Sequence, residues 1–249
     1  MQTTLKLDIL DMPMDALAAY WLSLKKLADA KKAARAALLE EARQTEEPFI
    51  RLVLETVFSD LEIAVVRRLI EVRAESVLHD CRRKLDLMRL ALFAIAGGEN
   101  PRVTLVRMNS QFAEPPMEER QAFQMASAMS EALADPATDR ATLLEVDLKM
   151  PPDRLMVKLL FYVILARRRD RQAMEEFIEL AGLPFFAEGL SLCVDGFEPD
   201  FLAYHKESIR DEILRRARRK MDMSAEMAIS IRKKHTYEDI YLVARSYLS

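Results

Sequence analysis

Residues 166–200 read ARRRDRQAMEEFIELAGLPFFAEGLSLCVDGFEPD. A basic run turns acidic, Gly182-Leu183-Pro184 interrupts it, and a short apolar segment closes on Val194-Asp195-Gly196. The chain restarts at Glu198-Pro199-Asp200. Proline is tolerated in the first turn of a helix, and glycine just past its end supplies the left-handed stop. The stretch therefore predicts short helices joined by tight breaks, with Pro184, Gly189, Asp195, Gly196 and Pro199 as structural turn positions. The basic-to-acidic run reads as one helix up to the Gly182 break.

Composition extends this reading to the whole chain. Only 5 of 249 residues are Gly, while 51% are apolar and 31% charged. A chain rich in Ala, Leu, Glu, Arg and Met and poor in Gly favours helix over sheet. The expected fold is all-α. A formal net charge of -3 gives no overall attraction to nucleic acid. The basic runs also lack interleaved aromatic stacking platforms, so no nucleic-acid partner is expected.

The N-terminus, MQTTLKLDILDMP, has no apolar core or cleavage pattern of a signal peptide. The most apolar runs, residues 159–166 and 90–98, are far shorter than the ~20 residues of a membrane span. Cys81 and Cys193 form no disulfide framework and are expected to be buried free thiols. A soluble, cytoplasmic chain follows as the expectation. His79, His205 and His235 fall on separate predicted helices. With no His pair, no Cys pair, no phosphate loop and no nucleophile elbow, no cofactor, metal site or catalytic residue is expected, and the chain reads as non-enzymatic.

In chain order, Pro13 and Asp15 predict a helix start, and the 3.6-residue periodicity runs on to about residue 43 with Trp21 as a core anchor. Pro48 opens a short apolar helix. Ser59-Asp60 are candidate caps at the start of the long amphipathic pattern that follows and ends at Gly97-Gly98. Residues 97–116, with Gly-Gly, Asn-Pro and Pro-Pro, read as the least structured stretch. Residues 117–134 read as an amphipathic helix stopped by Asp135-Pro136. The methionines, among them Met125, Met129, Met223 and Met227, read as core. The C-terminal pattern, with Tyr237, Tyr241 and Tyr247, reads as a helix begun at Thr236 that packs on the first half or forms a docking face.

An internal repeat organises these segments. Thr4, Leu5, Leu10, Met12, Pro13, Asp15 and Leu17 recur as Thr142, Leu143, Leu148, Met150, Pro151, Asp153 and Leu155 (151 - 13 = 138). Pro48-Phe49 recurs as Pro184-Phe185 (184 - 48 = 136), and the Arg82-Arg83-Lys84 run as Arg218-Arg219-Lys220 (218 - 82 = 136). Three matches in the same order predict two tandem duplicated helical modules packed together. Their expected bounds are 1–99 and 142–249, with a looped linker at 100–141 carrying one extra helix.

The second copy resembles the cytoplasmic segment of the flagellar stator A subunit, the motility protein A family. The likeness rests on Leu165-Ala166-Arg167, Met174-Glu175-Glu176, Pro184-Phe185, Gly189-Leu190, Val194-Asp195-Gly196 and Pro199-Asp200. It covers roughly 160–215, and residues 27–80 only through the internal repeat. There Lys32 stands for Arg167 and Glu40 for Glu175, while Val53, Ser59 and Asp60 replace the glycine and aspartate features. The stator's membrane helices have no counterpart here.

The resemblance implies a rotor-facing helix that contacts its partner through an arginine and a glutamate eight residues later (175 - 167 = 8). It makes Arg167, Arg168, Arg171, Glu175 and Glu176, with Lys32 and Glu40 in the first copy, the candidate partner-binding residues. The implied partner is another protein, a flagellar rotor, switch or stator component, and a homo-oligomer is also compatible. A general helical scaffold or regulator unrelated to motility is the alternative.

Overall fold

A computed structural model describes residues 8–248. The repeat members Thr4 and Leu5 lie outside the described residues. The fold is all-α. Its helices are α1 (Met14–Ala30), α2 (Ala34–Gln44), α3 (Pro48–Val57), α4 (Ile63–Gly97), α5 (Pro101–Asn109), α6 (Glu119–Ala134), α7 (Arg140–Leu144), α8 (Pro152–Arg169), α9 (Pro184–Val194), α10 (Pro199–Arg232) and α11 (Tyr237–Leu248). Two 3₁₀ turns, Gln172–Phe177 and Glu179–Ala181, join α8 to α9. Among the described residues the sole β feature is an isolated bridge between Val146 and Gly182.

Local chemistry sets many of these bounds. Pro48, Pro101 and Pro184 each occupy the first turn of a helix, where the missing N–H costs nothing. Asn100 caps α5 by accepting from the Arg102 N–H at 3.0 Å. Thr236 Oγ1 accepts from the Asp239 N–H at 3.1 Å, while the Asp239 carboxylate accepts from the Thr236 N–H at 3.2 Å, a reciprocal capping box.

Four expectations are corrected. The helix read from 13 to 43 is two helices, parted at Lys31–Ala33 by an extended Lys31 (φ -108°, ψ 129°). No glycine or proline marks the break. It lets Leu17, Trp21 and Leu24 of α1 and Leu38 and Ala42 of α2 all reach one core. The basic-to-acidic run breaks at Asp170 instead of continuing to Gly182. The stretch read as least structured contains α5, because Asn-Pro is a helix start as well as a turn signal. Met125 is 39% exposed, since α6 buries the small side chains Ala122 and Ala126 instead.

The chain packs into two compact units that cut across the expected modules. One comprises the described residues of Met1–His79 and Ile213–Ser249, and the other is Asp80–Glu212. In the first, Trp21, Phe49, Ile50, Val53 and Leu54 pack in one core with Met221, Met223, Met227 and Ile240. In this unit α11 lies on α1, with the Lys26 ammonium 5.3 Å from the centre of the Tyr237 ring. In the second unit α8 is buried along Leu155–Ala166, save for the partly exposed Lys158. Tyr162 meets Phe161 and Phe186 edge to face at 5.7 and 5.2 Å and donates its hydroxyl to the Leu144 carbonyl at 3.0 Å.

Each long helix supplies residues to both cores. Val66 and Ile70 of α4 belong to the first unit, and Leu85 and Leu92 to the second. A helix's apolar stripe says what must be covered and not by which partner. That is why the units were not legible as such.

The element positions keep the offset seen in the sequence. α8 starts 138 residues after α1 (152 - 14), and α9, α10 and α11 start 136 after α3, α4 and α5 (184 - 48, 199 - 63, 237 - 101). In the first unit Lys220 donates to the Leu10 carbonyl at 2.7 Å. In the second, Lys84 donates to the Leu148 carbonyl, also at 2.7 Å. The offsets are 136 for the donors (220 - 84) and 138 for the acceptors (148 - 10).

Candidate functional site

The end of α8 is where the sequence places most of the candidate contact residues. Its apolar body anchors it in the second unit, and its last turn carries Arg167, Arg168 and Arg169. Cations there complement the negative end of the helix dipole. All three are exposed. Arg167 donates to the Gly98 carbonyl at 3.0 Å, tying the α8 edge to the end of α4. Arg167 and Arg171, with Gly97, Gly98 and Asp170, line a shallow depression of about 320 Å³.

The helix stops at Asp170, whose φ of 85° and ψ of 151° lie in a region that only glycine enters at low cost. Beyond it the 3₁₀ turn buries Met174 and Phe177 and turns Glu175 and Glu176 outward. Glu176 is gripped by Arg140 at 3.3 Å and Arg169 at 3.5 Å. Glu175 and Arg168 have no ion-pair partner among the described residues. Arg167 and Glu175 thus keep their eight-residue spacing but do not share a helix. The single basic-then-acidic helix that the resemblance implies is not the local geometry.

The candidates from the first half of the chain, Lys32 and Glu40, fall in the other unit. Lys32 is exposed in the α1–α2 break. Glu40 is exposed on α2 and bonds within its own helix, to Arg43 at 3.1 Å and Gln44 at 3.4 Å. They belong to the first unit and Arg167 to Glu176 to the second.

Of the turn positions, Pro184 and Pro199 are the first residues of α9 and α10. Asp195 is the residue just past α9, and Gly196 follows with φ 85°. Gly189 is no turn residue. It is buried in mid-helix, where a Cβ would collide with the Leu92 side chain of α4. Cys193, one turn further along α9, directs its thiol to the Leu92 carbonyl at 3.5 Å. Burial pushes that thiol up to about 12. Both cysteines are buried and neither is in a disulfide.

The second basic run is mostly internal bracing. Arg218 holds Glu71 at 2.8 Å and Asp222 at 2.9 Å, and Arg219 donates to the Tyr247 carbonyl at 2.7 Å.

Sequence reasoning missed an arginine network in the second unit. Arg210 bonds Asp86 at 2.6 Å, Asp211 at 2.8 Å and Glu207 at 3.1 Å, and Arg89 shares Asp86 at 2.8 Å. The corresponding positions of the first unit are Ala74 (210 - 136) and Ala225 (89 + 136). Isolated charges on two long helices gave no signal that they meet.

Among the described residues no three His, Cys, Asp or Glu side chains are grouped to hold a metal, and no helix is long and apolar enough to cross a membrane. Comparison with protein-family models, with curated proteins and with solved structures gives no match.

Proposed function

We propose that the chain is a non-enzymatic protein-interaction module that binds its partner through the edge where α8 ends. The observation that carries this reading is the pair of exposed, unpartnered opposite charges, Arg168 and Glu175, flanking the strained break at Asp170. Backbone strain persists where the surrounding fold overdetermines it, and it clusters at functional sites. Arginine suits such a contact because its fork bonds a carboxylate bidentately.

The stator resemblance supplies the partner class, a flagellar rotor or switch component. The repeated offsets of helix starts, and the two lysine-to-carbonyl bonds at matching positions, support a duplicated origin for the two copies. In that reading each copy lends the second half of its long helix to the unit built on the other copy's first helices. The same features suit a general helical scaffold, the second reading.

A pull-down with purified rotor switch proteins separates them. The reading expects capture by the wild type and at least about tenfold weaker capture by Arg167→Glu, Arg168→Glu and Glu175→Lys. No capture, or capture indifferent to all three reversals, leaves the scaffold reading.

A further inference from the structure

At the start of α10, Phe197, Phe201 and Tyr204 are 41%, 45% and 77% exposed. Phe197 and Phe201 stack at 5.0 Å, and Phe201 stacks on the His205 ring at 5.6 Å. Burying large aromatics is strongly favourable, so a column of them left in water marks a contact surface more often than chance exposure does.

The matching positions at the start of α4 are also exposed and apolar: Leu61, two residues before the helix, and Val65 lie 136 residues before Phe197 and Phe201 (197 - 61, 201 - 65), at 41% and 43% exposure. The face on α10 is thus a feature of this helix register and not a stray side chain.

Its rim is acidic. Asp195, Glu198 and Asp200 are exposed and have no ion-pair partner among the described residues. Glu188, alongside, is neutralised by Lys206 at 2.8 Å. Aromatic faces and carboxylates together attract cations, the rings through their negative faces and the acids through charge.

We infer that Phe197, Phe201 and Tyr204, rimmed by Glu198 and Asp200, form a docking face for a short cationic amphipathic segment of a partner protein. Apolar side chains of that segment cover the ring column, and its Lys or Arg side chains meet the acidic rim. The exposed area of the three rings is roughly 350 Å², too little for the ~800 Å² per partner of a stable dimer of folded proteins. A single helix or extended peptide is enough to cover that area. The inference is independent of the α8 edge.

The test uses the full chain and a fluorescein-labelled leucine–lysine peptide with its leucines on one helical face, followed by anisotropy at about 0.15 M salt, where surface charges more than ~8 Å apart are screened. The same peptide with glutamate for lysine is the control. The lysine peptide is expected to bind saturably and the glutamate peptide not to bind. Phe201→Ser, Tyr204→Ser and the pair Glu198→Lys/Asp200→Lys should each weaken binding at least about tenfold, whereas Glu131→Lys on α6 should not. Tyr204 is the most exposed of the three rings, so its variant reports even where Phe201→Ser unfolds. Equal binding of both peptides, or equal loss from Glu131→Lys, overturns the inference. Self-association of the wild type that Tyr204→Ser abolishes also overturns it, by making a second copy the occupant.

Discussion

Asp170 holds φ 85° with an extended ψ, a combination that costs a side-chain-bearing residue about 1–3 kcal/mol. Replacing it with glycine removes the strain but loosens the unfolded chain, so Asp170→Gly should stabilise by roughly 1 kcal/mol in urea denaturation. The same residue shows a limit of sequence reading. Arg169-Asp170-Arg171 contains no glycine or proline, and helix propensity alone carries α8 through it. What stops the helix is tertiary: Met174 and Phe177 reach the core only if the chain turns. Gly196 is the opposite case, a left-handed stop legible from its place after an apolar run.

Also at this scale, Lys206 is buried and its ammonium is matched by Glu188. The Lys206 hydrogen bond holds the Glu188 carboxyl below its ordinary 4.5. A depressed carboxyl contributes stability above 4.5 that is lost as pH falls through its folded value. Burial depresses Lys206 below 10.5, so stability from that group rises with pH in the window beneath 10.5. Thermal denaturation should therefore show Glu188→Gln costing more stability at pH 7 than at pH 3. An equal cost at both would mean that the Lys206–Glu188 pair does not stabilise the fold.

Among the elements, the crossing of α9 and α4 gives the sharpest prediction. Gly189 was legible as special but not as a packing residue, because a glycine near Pro184 and Gly196 looks like part of a turn. The structure gives it a different reason: the α9 backbone presses on Leu92. Gly189→Ala should cost about 1–3 kcal/mol by overpacking. Leu92→Ala alone should cost about 2–5 kcal/mol through its cavity. Combined, the two should cost less than their sum by at least about 0.5 kcal/mol, since the new methyl enters the space the leucine leaves. Additive losses would mean the helices do not meet there.

For the whole molecule, helix content and most helix starts were readable because proline placement and 3.6-residue periodicity are local signals. The pairing of the long helices was not, since neither stripe names its cover. Fragments test this directly. Residues 1–99 lack Met221, Met223, Met227 and Ile240, all at 2% exposure or less in the first core. Residues 142–249 lack Leu85 and Leu92 from the second. Neither fragment should give a cooperative thermal transition by circular dichroism. Two independently cooperative fragments would favour the tandem-module division.

The partner contact proposed at the α8 edge can be tested at single-residue resolution. The most direct measurement places a photo-crosslinking amino acid at position 168, and at position 131 on α6 as a control, and irradiates each variant with purified rotor switch proteins. A covalent adduct is expected from position 168, suppressed by Glu175→Lys, and none from position 131. No adduct from 168, or equal adducts from both positions, would contradict it.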